Sequence, residues 1–171
     1  MAVPGVAEPL RPSSRELPAP TPRDRGDRRA PQVALLSFRQ PFAEALLDGR
    51  KRHEFRRGTA GFAPGDLLLI YETAPVSQVV GVARVGGVHR GSGTELAGIE
   101  EHPDLSALTA AYLGDCPDAV ALQVEGVHRL AEPVPLAELG LERPPRSYRW
   151  LPEGTPMPAD VRDGLAALRG P

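Results

Sequence analysis

An α+β fold, drawn as a small mixed or antiparallel β-barrel with short flanking helices, is what this 171-residue sequence predicts. Three observations carry that expectation. Five or so short runs read as strands, the helical stretches between them are brief, and strands and helices do not alternate regularly. No glycine-rich phosphate loop follows the first strand, which excludes dinucleotide-binding and P-loop architectures.

The elements follow in chain order. Residues 1–31 hold seven prolines, few large apolar side chains and the run RDRGDRRAP, so they cannot bury enough surface to offset chain entropy and are expected to be a disordered tail. Order is expected from Gln32. The run VALLSF (33–38) is apolar and short enough for a buried strand. Pro41 suits a first helical turn, Phe42, Ala45 and Leu46 recur at helical spacing, and Gly49 follows as a stop, which gives a helix over about 41–48. RKRHEFRR (50–57) alternates as a strand would, placing Lys51, His53, Phe55 and Arg57 on one face and Arg52, Glu54 and Arg56 on the other.

LLLIYE (67–72) is a third strand, and VVGVARVGGVH (79–89) a long fourth whose glycines predict a bulge or tight bend. DLSALTAAYL (104–113) reads as a helix with Asp104 as its N-cap, and AVALQVEGVHRL (119–130) as a clear strand. A short helical turn at LAEL, the segment PPRSYRWLP (144–152) and an amphipathic helix over about 159–168, with Val161, Leu165 and Leu168 on one face, complete the chain. One folded domain over 32–152 with a C-terminal extension over 153–171 is the organisation this implies.

Composition narrows the function. No apolar run approaches the roughly 20 residues that span a bilayer, and the N-terminus lacks a signal peptide's apolar stretch, so the expectation is a cytoplasmic protein without a membrane partner. Cys116 is the single cysteine and His53, His89, His102 and His128 are scattered, so neither a disulfide nor a metal is expected, and no cofactor motif occurs. The net charge of −2 divides unevenly: residues 32–93 carry eight basic against five acidic side chains, residues 94–171 six against thirteen. A mildly basic front half fits one cationic face. Of 20 basic residues 19 are arginine, and the lone lysine, Lys51, marks a position that wants a compact ammonium or one that kept its lysine by chance.

The block LLSFRQPFAEALLDGRKRHEFRR joins an opening strand, a helix ending in a Gly-x-Lys turn and a strand carrying Glu-x-Arg. It resembles the ASCH domain, a PUA-like barrel, with Gly49, Lys51, Glu54 and Arg56 at the motif positions. GDLLLIYETAPVSQVVGVARV looks like that family's continuation, PPRSYRW is similar to a segment of its transcriptional-regulator-like members, and the likeness covers residues 33–151.

What the resemblance implies is a cleft that holds RNA or a nucleotide-like ligand, with a transcription- or translation-related role. Small hydrolases in the family, ribonucleases and nucleoside amidohydrolases, keep an enzymatic alternative open. In the amidohydrolases a threonine stands where this chain has Glu54, a departure that argues against the same chemistry. Ligand-binding candidates are Lys51, Glu54, Arg56, Tyr71, Ser147 and Tyr148. Arg56 offers a planar fork to a phosphate or a base edge, Glu54 accepts from an exocyclic amine or acts as a general base, and Lys51 swings in from its turn. If the chain is an enzyme, Lys51 and Glu54 are the catalytic pair. Tyr71 and Tyr148 suit stacking, and Ser147 with Arg146 suits a phosphate contact. All these charges are expected in an exposed cleft, where the alternative is simple pairing across the sheet. A protein partner and the oligomeric state are left open.

Overall fold

A computed structural model describes residues 29–169, so most of the expected tail lies outside the described residues. Strands β1 (Val33–Phe38), β2 (His53–Arg57), β3 (Leu67–Glu72), β4 (Gln78–Gly91), β5 (Ala119–Val134) and β6 (Tyr148–Trp150) form one six-stranded sheet in the order β2-β5-β4-β3-β1-β6. Pairing is antiparallel except between β1 and β3, and the sheet curls into a half-barrel. Helices α1 (Gln40–Leu47), α2 (Gly93–Ala97), α3 (Pro103–Leu113) and α4 (Ala159–Arg169), with a 3-10 turn at Leu136–Leu139, cover it. The expected mixed α+β architecture is the one observed.

Alternation along each strand sorts the side chains into layers. Leu36, Phe38, Leu68, Ile70, Val85 and Leu122 point into the curl, where α1 adds Ala43, Leu46 and Leu47. Leu35, Leu69, Val82 and Leu130 point outward and are covered by Val161 and Leu165 of α4, the face expected from the amphipathic pattern. Phe55 and Ala121 lie outward at the other end, under Leu96 and Leu113 of α2 and α3. The long strands bend where register shifts occur, between Val79 and Gly81 and on either side of Val85. A Cβ at Gly81 would stand 2.4 Å from a Leu47 methyl, so the glycine lets α1 settle into the curl.

The second strand is shorter than expected. The Lys51 N–H goes to the Ala45 carbonyl at the end of α1, and Gly49 takes a φ of 71°, so residues 50–52 complete a helix terminus before β2 begins at His53. Helix α3 starts at Pro103 with His102, not Asp104, as N-cap, because the His102 ring accepts from the Asp104 N–H and a proline fills the first turn. Helix α2 was not expected, although Ser92 and Glu95 form a capping box that the spacing of the two residues encodes. Strand β5 runs past Leu130 to Val134, and Tyr148–Trp150, read only as a segment, pairs with β1.

At the start of the described chain, Arg29 forms a two-pronged pair with the buried Asp66 at 2.9 and 2.5 Å and lies over the Trp150 ring at 5.2 Å. Asp66 also accepts from the N–H groups of Gln32 and Ala63. Folded structure thus includes Arg29, ahead of the Gln32 start expected from the sequence. Arg29→Ala should cost about 1–3 kcal/mol in urea unfolding, because a buried carboxylate loses its countercharge but keeps its two backbone donors.

Glu72 points into the curl at the end of β3, is buried, and its Oε1 has no hydrogen-bond partner among the described residues. Burial holds its pKa above the usual carboxylate range, the neighbouring Glu44 pushes the same way and Arg129 opposes. A folded-state pKa raised above the unfolded one makes the ionised group a liability that is absent in acid and grows as pH rises through the folded value. Glu72→Gln should therefore raise the urea midpoint at pH 7 and do so far less at pH 4.

Candidate functional site

Strand β2 lies at one edge of the sheet and carries opposite chemistry on its two faces. Glu54 and Arg56 stand directly across from Leu122 and Val120, both core residues of the curl, so their charged ends point inward. Phe55 points outward beneath α2 and α3. Two ionised groups on the inner face of a half-barrel need partners, since an unpaired buried charge is strongly unfavourable.

The partners are present. Arg56 Nη2 lies 2.9 Å from Glu54 Oε1 and donates to the Ser37 carbonyl at 3.0 Å, while its guanidinium sits 5.1 Å from the Phe38 ring centroid. Lys51 Nζ lies 3.5 Å from Glu54 Oε2 and 3.2 Å from Glu100 Oε2, and donates to the His53 carbonyl. The ammonium also rests 4.7 Å from the Phe55 ring centroid. Lys51 is 2% exposed and Glu54 and Arg56 6% each. The exposed cleft charges expected from the sequence are therefore a buried cluster. Two cations face two carboxylates, and the cluster is neutral as a whole.

Lys51 meets Glu54 because residues 50–52 are not strand: on a continuous pleat the two would face apart. The lysine bias also gains a physical basis. A compact ammonium fits between two carboxylates and a carbonyl at a site with almost no accessible surface, where a guanidinium would need more room. Two donors and acceptors in this region are unspent: the Arg56 Nε has no partner among the described residues, and Glu100 Oε2 is at ion-pair distance from Lys51 without hydrogen-bond alignment.

These charges border a pocket of about 520 Å³, whose wall includes Ser37, Phe42, Lys51, Glu54, Arg56 and Thr73. Three of the expected site residues thus converge and three do not. Tyr71 faces outward among Leu35, Leu69 and Val79, on the far side of the sheet from Glu54. Tyr148 stacks on Phe62 with ring centroids 4.9 Å apart, and Ser147 spends its carbonyl on the Ser37 N–H. Neither lines the pocket, whereas the adjacent Arg146 does. Sequence reasoning missed Glu100, which lies between α2 and α3 with no motif to mark it, as well as Arg39, Tyr112 and Leu108 on the pocket wall.

Beside the cluster, His53 packs edge-on to His89 at 5.9 Å, and the Nε2 of each is buried without a hydrogen-bond partner among the described residues. Burial, then the neighbouring His89 and Lys51, lower the His53 pKa against the opposing pull of Glu101 and Glu100, so the ring stays neutral next to the ammonium. No group of three or more metal-ligating side chains occurs among the described residues.

The family model of the ASCH domain matches residues 36–128, more than half of the chain, including Lys51, Glu54, Arg56 and Glu100. The chain belongs to the ASCH domain family. Among solved structures, ASCH from Zymomonas mobilis is 25% identical with a TM-score of 0.64, over 80% of this chain and 95% of that one. A point mutant of the same protein is 25% identical with a TM-score of 0.65, covering 80% and 96%. A second mutant, at 23% identity and a TM-score of 0.63 over 80% and 98%, shows the shared fold. No curated protein matches this ASCH chain. No helix among the described residues is long and apolar enough to cross a membrane.

The buried pairing has a measurable consequence. Arg56→Gln should destabilise the ASCH fold by about 3–5 kcal/mol, because Glu54 would be left with a weaker partner in the core. The double variant with Glu54→Gln should cost less than the sum of the two single changes, as read from urea unfolding.

Proposed function

We propose that this ASCH domain binds RNA or a nucleotide-like ligand, with the polar edge of a base lodged against Lys51, Glu54 and Arg56. The single observation behind the proposal is the neutral four-charge cluster, of which Lys51, Glu54 and Arg56 line a pocket of about 520 Å³. A phosphate placed against it would meet Glu54 as closely as it met the cations. A neutral heterocycle is a better match, since a base edge presents a donor beside an acceptor, and a carboxylate beside a guanidinium offers the complementary pair. The PUA-like fold of the family, often associated with RNA binding, supports the same reading.

A hydrolase acting in the same pocket is the second reading, and Lys51 between two carboxylates favours it. There Glu54 would take a proton from the attacking water while Lys51 held the developing negative charge on the attacked group, and Glu54 would return the proton to the leaving group as its bond broke. A regulatory role in transcription or translation, with or without a protein partner, rests on the likeness of the segment around β6 to regulator-like family members.

Lys51→Arg tests the core of the proposal. It keeps the charge but not the compact shape, so nucleoside or short single-stranded RNA binding, followed by chemical shifts of the β2 amides, should weaken by about tenfold or more while circular dichroism is preserved. Equal binding by both proteins, or no shift in the wild type with any nucleoside, nucleotide or RNA, would remove the assignment. Product appearing by chromatography from the wild type but not from Lys51→Arg or Glu54→Gln would select the hydrolase.

A further inference from the structure

The pocket is chemically divided between its floor and its mouth. The floor carries the neutral cluster. At the mouth stand Arg39 and Arg146, both exposed, and neither has an ion-pair or hydrogen-bond partner among the described residues. Arg129 by contrast pairs with Glu44 and Asp48, Arg50 with Asp48, Arg29 with Asp66 and Arg84 with Glu125. Two unspent guanidinium groups beside one opening are a localised positive field in a chain of net charge −2.

One wall adds a different feature. Leu108 and Tyr112, 46% and 40% exposed, are the large apolar side chains left in solvent among the described residues, and both lie on the α3 side of this same pocket. They sit one turn apart on the helix, so they form a continuous strip. An aromatic ring and a leucine kept in water at a pocket wall provide a face for a flat, partly apolar ring.

We infer that the pocket's ligand carries a phosphate, held at the mouth by Arg39 and Arg146 while its base lies against Leu108 and Tyr112 with its polar edge on the floor. This rests on the proposed nucleotide reading and extends it, because the floor cluster by itself would accept an uncharged nucleoside. Charge dictates the orientation. A phosphate driven to the floor would face the Glu54 carboxylate, whereas at the mouth it meets two guanidinium forks whose planar N–H groups match its oxygens. The phosphate belongs either to a free nucleotide or to an RNA strand.

The test compares, by calorimetric titration of the full chain, the four ribonucleosides, their 5′-monophosphates, a four-nucleotide RNA and inorganic phosphate. At least one monophosphate should bind about tenfold or more tightly than its nucleoside, the size expected for two charge-assisted contacts at an exposed rim. In the Arg39→Gln, Arg146→Gln double variant that ratio should fall toward one, with the circular dichroism unchanged. Rising salt should weaken the monophosphate and not the nucleoside, and the RNA should show a log–log slope of about −1.4 if both arginines meet its phosphates.

RNA binding more tightly than every monophosphate identifies the strand as the phosphate's source, and the reverse identifies the free nucleotide. Nucleosides binding as well as monophosphates, or a phosphate advantage that survives the double variant, would overturn the inference while leaving the base-binding proposal standing. Arginine-dependent binding of inorganic phosphate, with no response to any nucleoside or nucleotide, would overturn the base-binding proposal and with it the ligand named here.

Discussion

The arrangement around the pocket depends on one side chain reaching across a gap in the sheet. Strands β2 and β6 are its two edges, and β6 pairs only with Ala34–Leu36 of β1. Within a strand the N–H and C=O of one residue point to the same side. The Ser37 N–H goes to Ser147 just beyond β6, and the carbonyl beside it accepts from Arg56 on β2. A guanidinium therefore supplies the link that a backbone ladder would have made in a closed barrel. Glu54 keeps that guanidinium in place, and Lys51 lies between Glu54 and Glu100. Lys51, Glu54 and Arg56, which hold the seam, also line the pocket.

Such a cluster is not chosen for stability alone. Replacing a buried charged network with well-packed apolar residues is often neutral or stabilising, so the stability of the fold does not by itself require these charges. The lowered pKa of His53 agrees with this: burial, then His89 and Lys51, disfavour a further positive charge beside the two cations and two carboxylates.

Legibility in the sequence followed the strength of local pattern. VALLSF and LLLIYE are uninterrupted apolar runs, and β1 and β3 occupy the residues expected. The amphipathic spacing of α4 was equally readable. Strand β2 was misjudged by three residues at its start, since its alternation of charge extends through Arg50–Arg52 and nothing local reveals that the Ala45 carbonyl captures the Lys51 N–H. That error placed Lys51 on the wrong face from Glu54. Within the site, the Gly-x-Lys and Glu-x-Arg spacing was informative because all four positions lie within one turn and one strand. Arg39 and Tyr112 reach the pocket, and Glu100 reaches Lys51, from separate elements that only tertiary folding brings together. Tyr71 and Tyr148 drew notice as aromatics near charges, yet their strand parity and ring packing assign them to other layers.

Strand β5 belongs to every layer described. Leu122 faces the interior of the curl, Ala121 lies beneath α2 and α3, and Leu130 and Val134 meet the layer under α4. A strand common to three apolar clusters leaves none of them able to detach while the others persist, so the domain has no natural boundary along which to open in part. Cooperativity is then a property of the whole, and a molecule lodged beside Arg56 would restrain motions as distant as the packing of the C-terminal helix.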